Sequence, residues 1–180
     1  MGLTTNADWE LAAKNIPILK FPDGTTKEHA TYNGEGIKQA DVNLLAYPLN
    51  EISDQKQIKG DLEYYNKRIP NAGTPAMTQA IFTLLYARLG DSDKAYQRFK
   101  DAYIPNLNPP FRVIAETKGG KNPYFATGAG GILQSVLMGF GGLDIQFEGI
   151  IQIKSVLPAK WKKLTITGVG VEAKTYEVNK

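Results

Sequence analysis

The sequence predicts a mainly α-helical protein that ends in a small antiparallel β part. Two observations lead there. Through the first two thirds of the chain, apolar residues recur at helical spacing in segments bounded by capping residues, proline or glycine. After Gly141-Gly142 the period changes to two, as strands require. A chain of 180 residues, 42% hydrophobic and 22% charged, can fill one good core or at most two small domains.

The elements follow in order. Asn6 suits an N-cap, and Trp9, Ala12, Ala13 and Ile16 repeat at helical spacing until Pro17 stops the run. Residues 17–37, with Pro22, Asp23, Gly24, Asn33, Gly34 and Gly36, read as a long loop, which points to function or to membership of something larger. Asp54 and Gln57 resemble a capping box, with Ile58, Leu62, Tyr65 and Ile69 as one apolar stripe behind them. The next helix opens at Thr74-Pro75, threonine capping and proline in the first turn. Met77, Ala80, Ile81, Leu84 and Leu85 form its buried face, and Gly90 ends it. Asp91 then starts a helix with Ala95, Tyr96, Phe99 and Tyr103 on its apolar side, so the two make an antiparallel hairpin. Residues 105–131 form a second long irregular segment. A helix with Ile132, Leu133, Val136, Leu137 and Phe140 on most of its sides follows, and such a helix needs neighbours nearly all round. Leu143, Ile145 and Phe147, then Ile151 and Ile153, Leu164 and Ile166, and last Val169 and Val171, alternate as strands of one small sheet.

Several function classes drop out. No apolar run approaches the roughly 18 residues of a membrane span. Met1–Thr4 open neither a basic nor an apolar leader region, so no signal peptide is expected. Twenty-one basic residues are mixed with 18 acidic ones, a net charge of +3, which makes no nucleic-acid footprint. Cysteine is absent and His29 is the single histidine, excluding thiolate or multi-histidine metal sites. The common nucleotide-binding and esterase motifs are absent too.

The candidate residues each carry two readings. Thr127-Gly128-Ala129-Gly130-Gly131 precedes a helix; it could hold an anion there, or let helices pack closely, the commoner use of glycine. Lys38 and Gln39 place ammonium and amide donors side by side, able to grip sugar hydroxyls or simply to face solvent. Glu116 stands in the second long segment near Arg112, Lys118 and Lys121, as a general base or as a surface carboxylate. His29 and Tyr32 are weaker candidates, and Trp9 and Trp161 read as packing residues.

Taken in order, these pieces resemble the C-terminal part of glycoside hydrolase family 65, the maltose, trehalose and kojibiose phosphorylases and their hydrolase relatives. The resemblance rests on Ile37-Lys38-Gln39-Ala40-Asp41-Val42-Asn43-Leu44-Leu45, the helix pair at 74–104 and Gly128-Ala129-Gly130-Gly131-Ile132-Leu133-Gln134. Met138-Gly139-Phe140-Gly141-Gly142-Leu143 and Leu157-Pro158-Ala159-Lys160-Trp161 complete the series, which runs from about Trp9 to the end.

The resemblance implies that residues 1–142 supply closing helices of an (α/α)6 barrel and residues 143–180 a small β-domain. It implies that Lys38 and Gln39 bind the sugar beside the cleaved bond and that Glu116 is the general base of an inverting α-glucoside hydrolase. The substrate would be a glucose-containing disaccharide, with no metal or organic cofactor. The general acid would lie upstream of this chain, leaving the isolated chain inactive. Glu116 would then sit in a wet groove and titrate like an ordinary glutamate. A disaccharide phosphorylase fragment, or a non-catalytic remnant that binds sugar or only assembles, are the alternatives. Barrel faces left uncovered would favour self-association.

Overall fold

A computed structural model describes residues 5–69 and 75–180. Its helices are α1 (Ala7–Asn15), α2 (Gln55–Asn66), α3 (Ala76–Arg88), α4 (Ser92–Tyr103) and α5 (Ala126–Gln134). Among the described residues three antiparallel pairs of strands accompany them: β1 (Leu107–Asn108) with β2 (Val113–Ile114), β3 (Leu143–Gln146) with β4 (Gly149–Gln152), and β5 (Lys163–Val169) with β6 (Lys174–Asn179). The helical body with a C-terminal β part is as expected. A closed helical ring is not seen among the described residues.

Asn6 caps α1 by accepting the Asp8 N–H at 2.8 Å. The apolar stripe of α1 is left exposed among the described residues, however. Trp9 is 71% and Ile16 72% exposed, so Trp9 is not the packing residue its type suggested.

The loop over 17–37 is ordered because α2 supplies it with partners. Buried Asp61 accepts both the N–H and the hydroxyl of Thr26, at 2.8 and 2.7 Å, and Tyr65 donates its hydroxyl to Thr26 O. Asp54 caps α2 as expected, accepting from the N–H groups of Lys56 and Gln57. The Gln57 side chain does not complete a capping box; its amide reaches Gly24 O and Asp61 instead. Phe21, Tyr32, Tyr64 and Tyr65 form an aromatic cluster over this join.

α3 is the centre of the molecule. Pro75 occupies its N-cap rather than its first turn, and Thr74 lies outside the described residues. The buried surface differs from the expected single face: Met77 and Ile81 are only half-buried, whereas Thr78, Gln79, Phe82, Thr83, Tyr86 and Ala87 are buried with Ala80, Leu84 and Leu85. The cause is neighbours on several sides, α4 and α5 above all. Gly90, at φ +86°, and the Asp91 cap turn the chain into α4. Contacts of Lys94 with Tyr86 and of Arg98 with Gln79 show the hairpin to be antiparallel.

α5 begins earlier than predicted. The run Thr127–Gly131 lies inside the helix, so it is not a loop leading to a helix N-terminus. Two of its three glycines, Gly128 and Gly131, serve packing. A Cβ on Gly128 would stand 2.8 Å from the Ala76 Cβ, and one on Gly131 3.0 Å from the Ala80 Cβ. Ser135–Phe140 continue α5 as a π-helical segment, where Gly139 lies equally close to the Leu84 backbone. Phe140 is fully buried but Leu133 is exposed, so this helix is not surrounded.

The strands form separate hairpins rather than one sheet, tied by Gln152 Nε2 donating to Glu177 O and Tyr176 OH to Ile150 O. Val171 is not in a strand. Gly170 and Ala173 both have positive φ and make a turn there, and the last strand, β6, was not anticipated. Trp161 packs as expected, edge-on against Tyr96, Phe99 and Phe140. It rests with Leu164 and Val178 on the same core as Leu62, Tyr65, Phe82 and Leu84, so the β part and the helices share one apolar interior.

Candidate functional site

Lys38 reaches the surface because its neighbours are anchored. Ile37 and Ala40 are buried, the Ile37 N–H donates to Arg68 O at 3.0 Å, and Lys38 O accepts the Thr78 hydroxyl at 2.8 Å. Lys38 and Gln39 are left exposed between these fixed points. Glu116 follows β2 at the start of a loop closed by the Phe125 N–H donating to Ile114 O. Its own carbonyl accepts the Ala76 N–H at 3.2 Å and the amide of buried Asn106 at 3.3 Å.

The two segments converge. Lys38 Nζ lies 2.9 Å from Glu116 Oε1. The Asn122 amide donates to Oε2 at 3.3 Å, and Asn122 Oδ1 accepts the Glu116 N–H at 3.5 Å. The hydrogen bond from Lys38, then its charge, then Asn122, hold the Glu116 carboxyl below the ordinary glutamate range. The expectation of an ordinary glutamate is therefore corrected: the ion pair, not desolvation, decides. Among the described residues the ion-pair partner of Glu116 is Lys38 rather than the loop's own Arg112, Lys118 or Lys121.

Gln39 does not join that pair. It lines an adjacent cleft of about 200 Å³ with Asp41, Met77, Thr78, Thr127 and Gln134. Hydroxyl, amide and carboxylate groups over an apolar floor suit a sugar ring, with polar edges and apolar faces. Glu28 has its carboxyl pushed up by burial and then by the negative charge of Asp41. His29 pairs with Thr31 and lies edge-on to buried Tyr32, a packing arrangement. Among the described residues, no group of three or more His, Asp or Glu could hold a metal.

Asn106 and Asn122 were missed in the sequence. Their signal is weak, because asparagine in a proline- and glycine-rich segment is an ordinary turn residue.

Residues 7–112 match the model of the glycosyl hydrolase family 65 central catalytic domain. The chain belongs to glycoside hydrolase family 65. It is 73% identical over 178 residues to a kojibiose hydrolase of Mucilaginibacter mallensis, covering 99% of this chain and 26% of that protein. It is 63% identical to a kojibiose hydrolase of Flavobacterium johnsoniae, over 98% of this chain and again 26% of the relative. An acid trehalase of Emericella nidulans is 35% identical over 87% of the chain and 16% of its own length. This family 65 chain thus spans about a quarter of the two kojibiose hydrolases. Among solved structures, a chain assigned as a kojibiose phosphorylase, from the human microbiome, superposes with a TM-score of 0.58. At 19% identity, covering 81% of this chain and 20% of that one, it shares the fold.

Proposed function

We propose that this chain carries the base side of the active site of an inverting α-glucoside hydrolase acting on kojibiose or a close disaccharide. In this reading residues 1–142 are closing helices of an (α/α)6 barrel and residues 143–180 its small β-domain. The observation that carries the proposal is the contact of Lys38 with Glu116, which joins the sugar-binding lysine to the base across two distant segments.

The chemistry then runs as follows. A glutamic acid outside these residues protonates the oxygen leaving the anomeric carbon. Glu116 accepts a proton from a water on the opposite face of the ring as that water's oxygen bonds to the same carbon. Inversion of this kind sets the carboxyl groups roughly 6.5–9.5 Å apart. Lys38 and Gln39 hold hydroxyls of the same sugar, fixing the carbon in line with the water. A carboxylate at this position repels a phosphate dianion, which favours hydrolysis over phosphorolysis. General-acid assistance is worth about 10²–10⁴-fold, so the 180-residue chain alone is expected to give no useful turnover. The exposed Trp9 and Leu11 on α1, with Ile16 at its C-terminal cap, fit a helix whose partners lie in the remainder of the barrel or in a second copy.

The test is a chimera in which this chain replaces its counterpart in the Mucilaginibacter mallensis relative. It should hydrolyse kojibiose, and Glu116→Gln should abolish that while sugar binding persists. Lys38→Met should weaken binding. Hydrolysis retained by Glu116→Gln would overturn the assignment of the base.

A further inference from the structure

We infer that Asn122 and Asn106 are positioning residues that clasp Glu116 from its side chain and from its backbone, a role that rests on Glu116 being the base. Two oxygens of a free carboxylate can exchange by rotation, and a long side chain in a loop samples several rotamers. Here both freedoms are restricted. Lys38 takes Oε1 at 2.9 Å, and the Asn122 amide takes Oε2 at 3.3 Å. The same Asn122 side chain turns its oxygen back to the Glu116 N–H, so one residue holds both ends of Glu116.

Asn106 works from beneath. It is 1% exposed; its carbonyl accepts the Ala115 N–H at 2.8 Å and its amide donates to Glu116 O. Asn108 adds a bond from its amide to Gly120 O at 2.8 Å, closing the far side of the loop. Gly120 is part of the fit. A Cβ there would meet Asn122 Oδ1 at 2.9 Å and Thr117 O at 3.0 Å, so a side chain would push Asn122 off Glu116.

A base must point one lone pair at a water, and misplacement by about 1 Å can cost 10²-fold in rate. Lys38 cannot supply that aim alone, because a sugar hydroxyl competes for its ammonium. Asn122 is neutral and keeps its bond when Lys38 turns to the sugar. The charged group acting on the Glu116 carboxyl is Lys38; α3 contributes the Ala76 N–H, which goes to the Glu116 carbonyl.

The experiment is carbon-13 NMR of the Glu116 side chain in the 180-residue chain, its signal assigned by loss in Glu116→Gln. In the unsubstituted chain the carboxyl should titrate below the ordinary range, with couplings of a single rotamer. In Asn122→Ala the midpoint should rise and the couplings average, and in Asn122→Asp the midpoint should rise further, because a second carboxylate replaces the amide. Asn106→Asp, which keeps the volume but loses the donor, should also average the couplings. In the chimera, Asn122→Ala should lower kcat about 10–100-fold with KM little changed. An unmoved midpoint and a single rotamer in Asn122→Ala overturn the clasp. Hydrolysis surviving Glu116→Gln overturns the base assignment instead, and the titration still decides whether Asn122 aims the carboxylate.

Discussion

Gly128 and Gly130 lie two residues apart in α5 and should respond oppositely to alanine. Gly130 is exposed, and nothing lies within 4 Å of a Cβ built on it. Gly130→Ala therefore gains the difference in helix propensity alone, about 1 kcal/mol. At about 2–4 °C per kcal/mol for a chain of this size, the melting temperature should rise by that much. Gly128→Ala gains the same propensity but meets the Ala76 Cβ at 2.8 Å, where carbon atoms in contact prefer about 3.5–4.0 Å. The nearby Phe125 ring can turn aside; Ala76 is fixed to the backbone of α3. Opening the seam is an overpacking cost of about 1–3 kcal/mol, which cancels or exceeds the propensity gain. The two variants should thus differ by about 1–3 kcal/mol in the order Gly130→Ala, then Gly128→Ala. Urea unfolding of both, followed by circular dichroism, measures the difference directly. A Gly128→Ala chain as stable as Gly130→Ala would show that α5 does not seat on α3 at this distance.

Two further outcomes follow from the ion pair and the buried carboxylate. Lys38→Met should lower stability at neutral pH and cost nothing in strong acid. The pair holds the Glu116 carboxyl below its ordinary 4.5, so its contribution is present above that value and is lost as pH falls through the lowered one; urea midpoints across pH check this. Asp61→Ala strips the acceptor from the Thr26 N–H and hydroxyl, and each buried donor left unpaired costs about 1–3 kcal/mol, so exchange of the Thr26 amide should accelerate sharply.

Caps were legible because their chemistry is local. Asn6, Asp54 and Asp91 each serve the N–H groups two or three residues on, as their identity announces. The environment of α3 was not legible in the same way. Its buried Thr78, Gln79 and Thr83 look like a solvent face until other segments arrive to satisfy them. Thr83 bonds within the helix to Gln79 O, whereas Thr78 and Gln79 need Lys38 O and Arg98. The start of α5 was hidden for a related reason. Glycine weakens a helix by propensity, and only the close approach of Ala76 and Ala80 explains Gly128 and Gly131. Lys38 and Glu116 are each legible as candidates from their own chemistry, but no local spacing relates them, and only the family resemblance puts them in one site.

What joins those two residues is the first part of α3. The Ala76 N–H holds Glu116 O, and two residues later the Thr78 hydroxyl holds Lys38 O. One rigid helix thereby sets the separation of two backbones whose side chains must meet at 2.9 Å. Gly128 lets α5 close onto the same Ala76, so the seam that governs stability also bears on the group that positions the base. A Cβ at Gly128 pushes on Ala76, and with it on the hydrogen bond to Glu116. Gly128→Ala should accordingly disturb the Glu116 resonances, while Gly130→Ala, which touches nothing, should leave them in place.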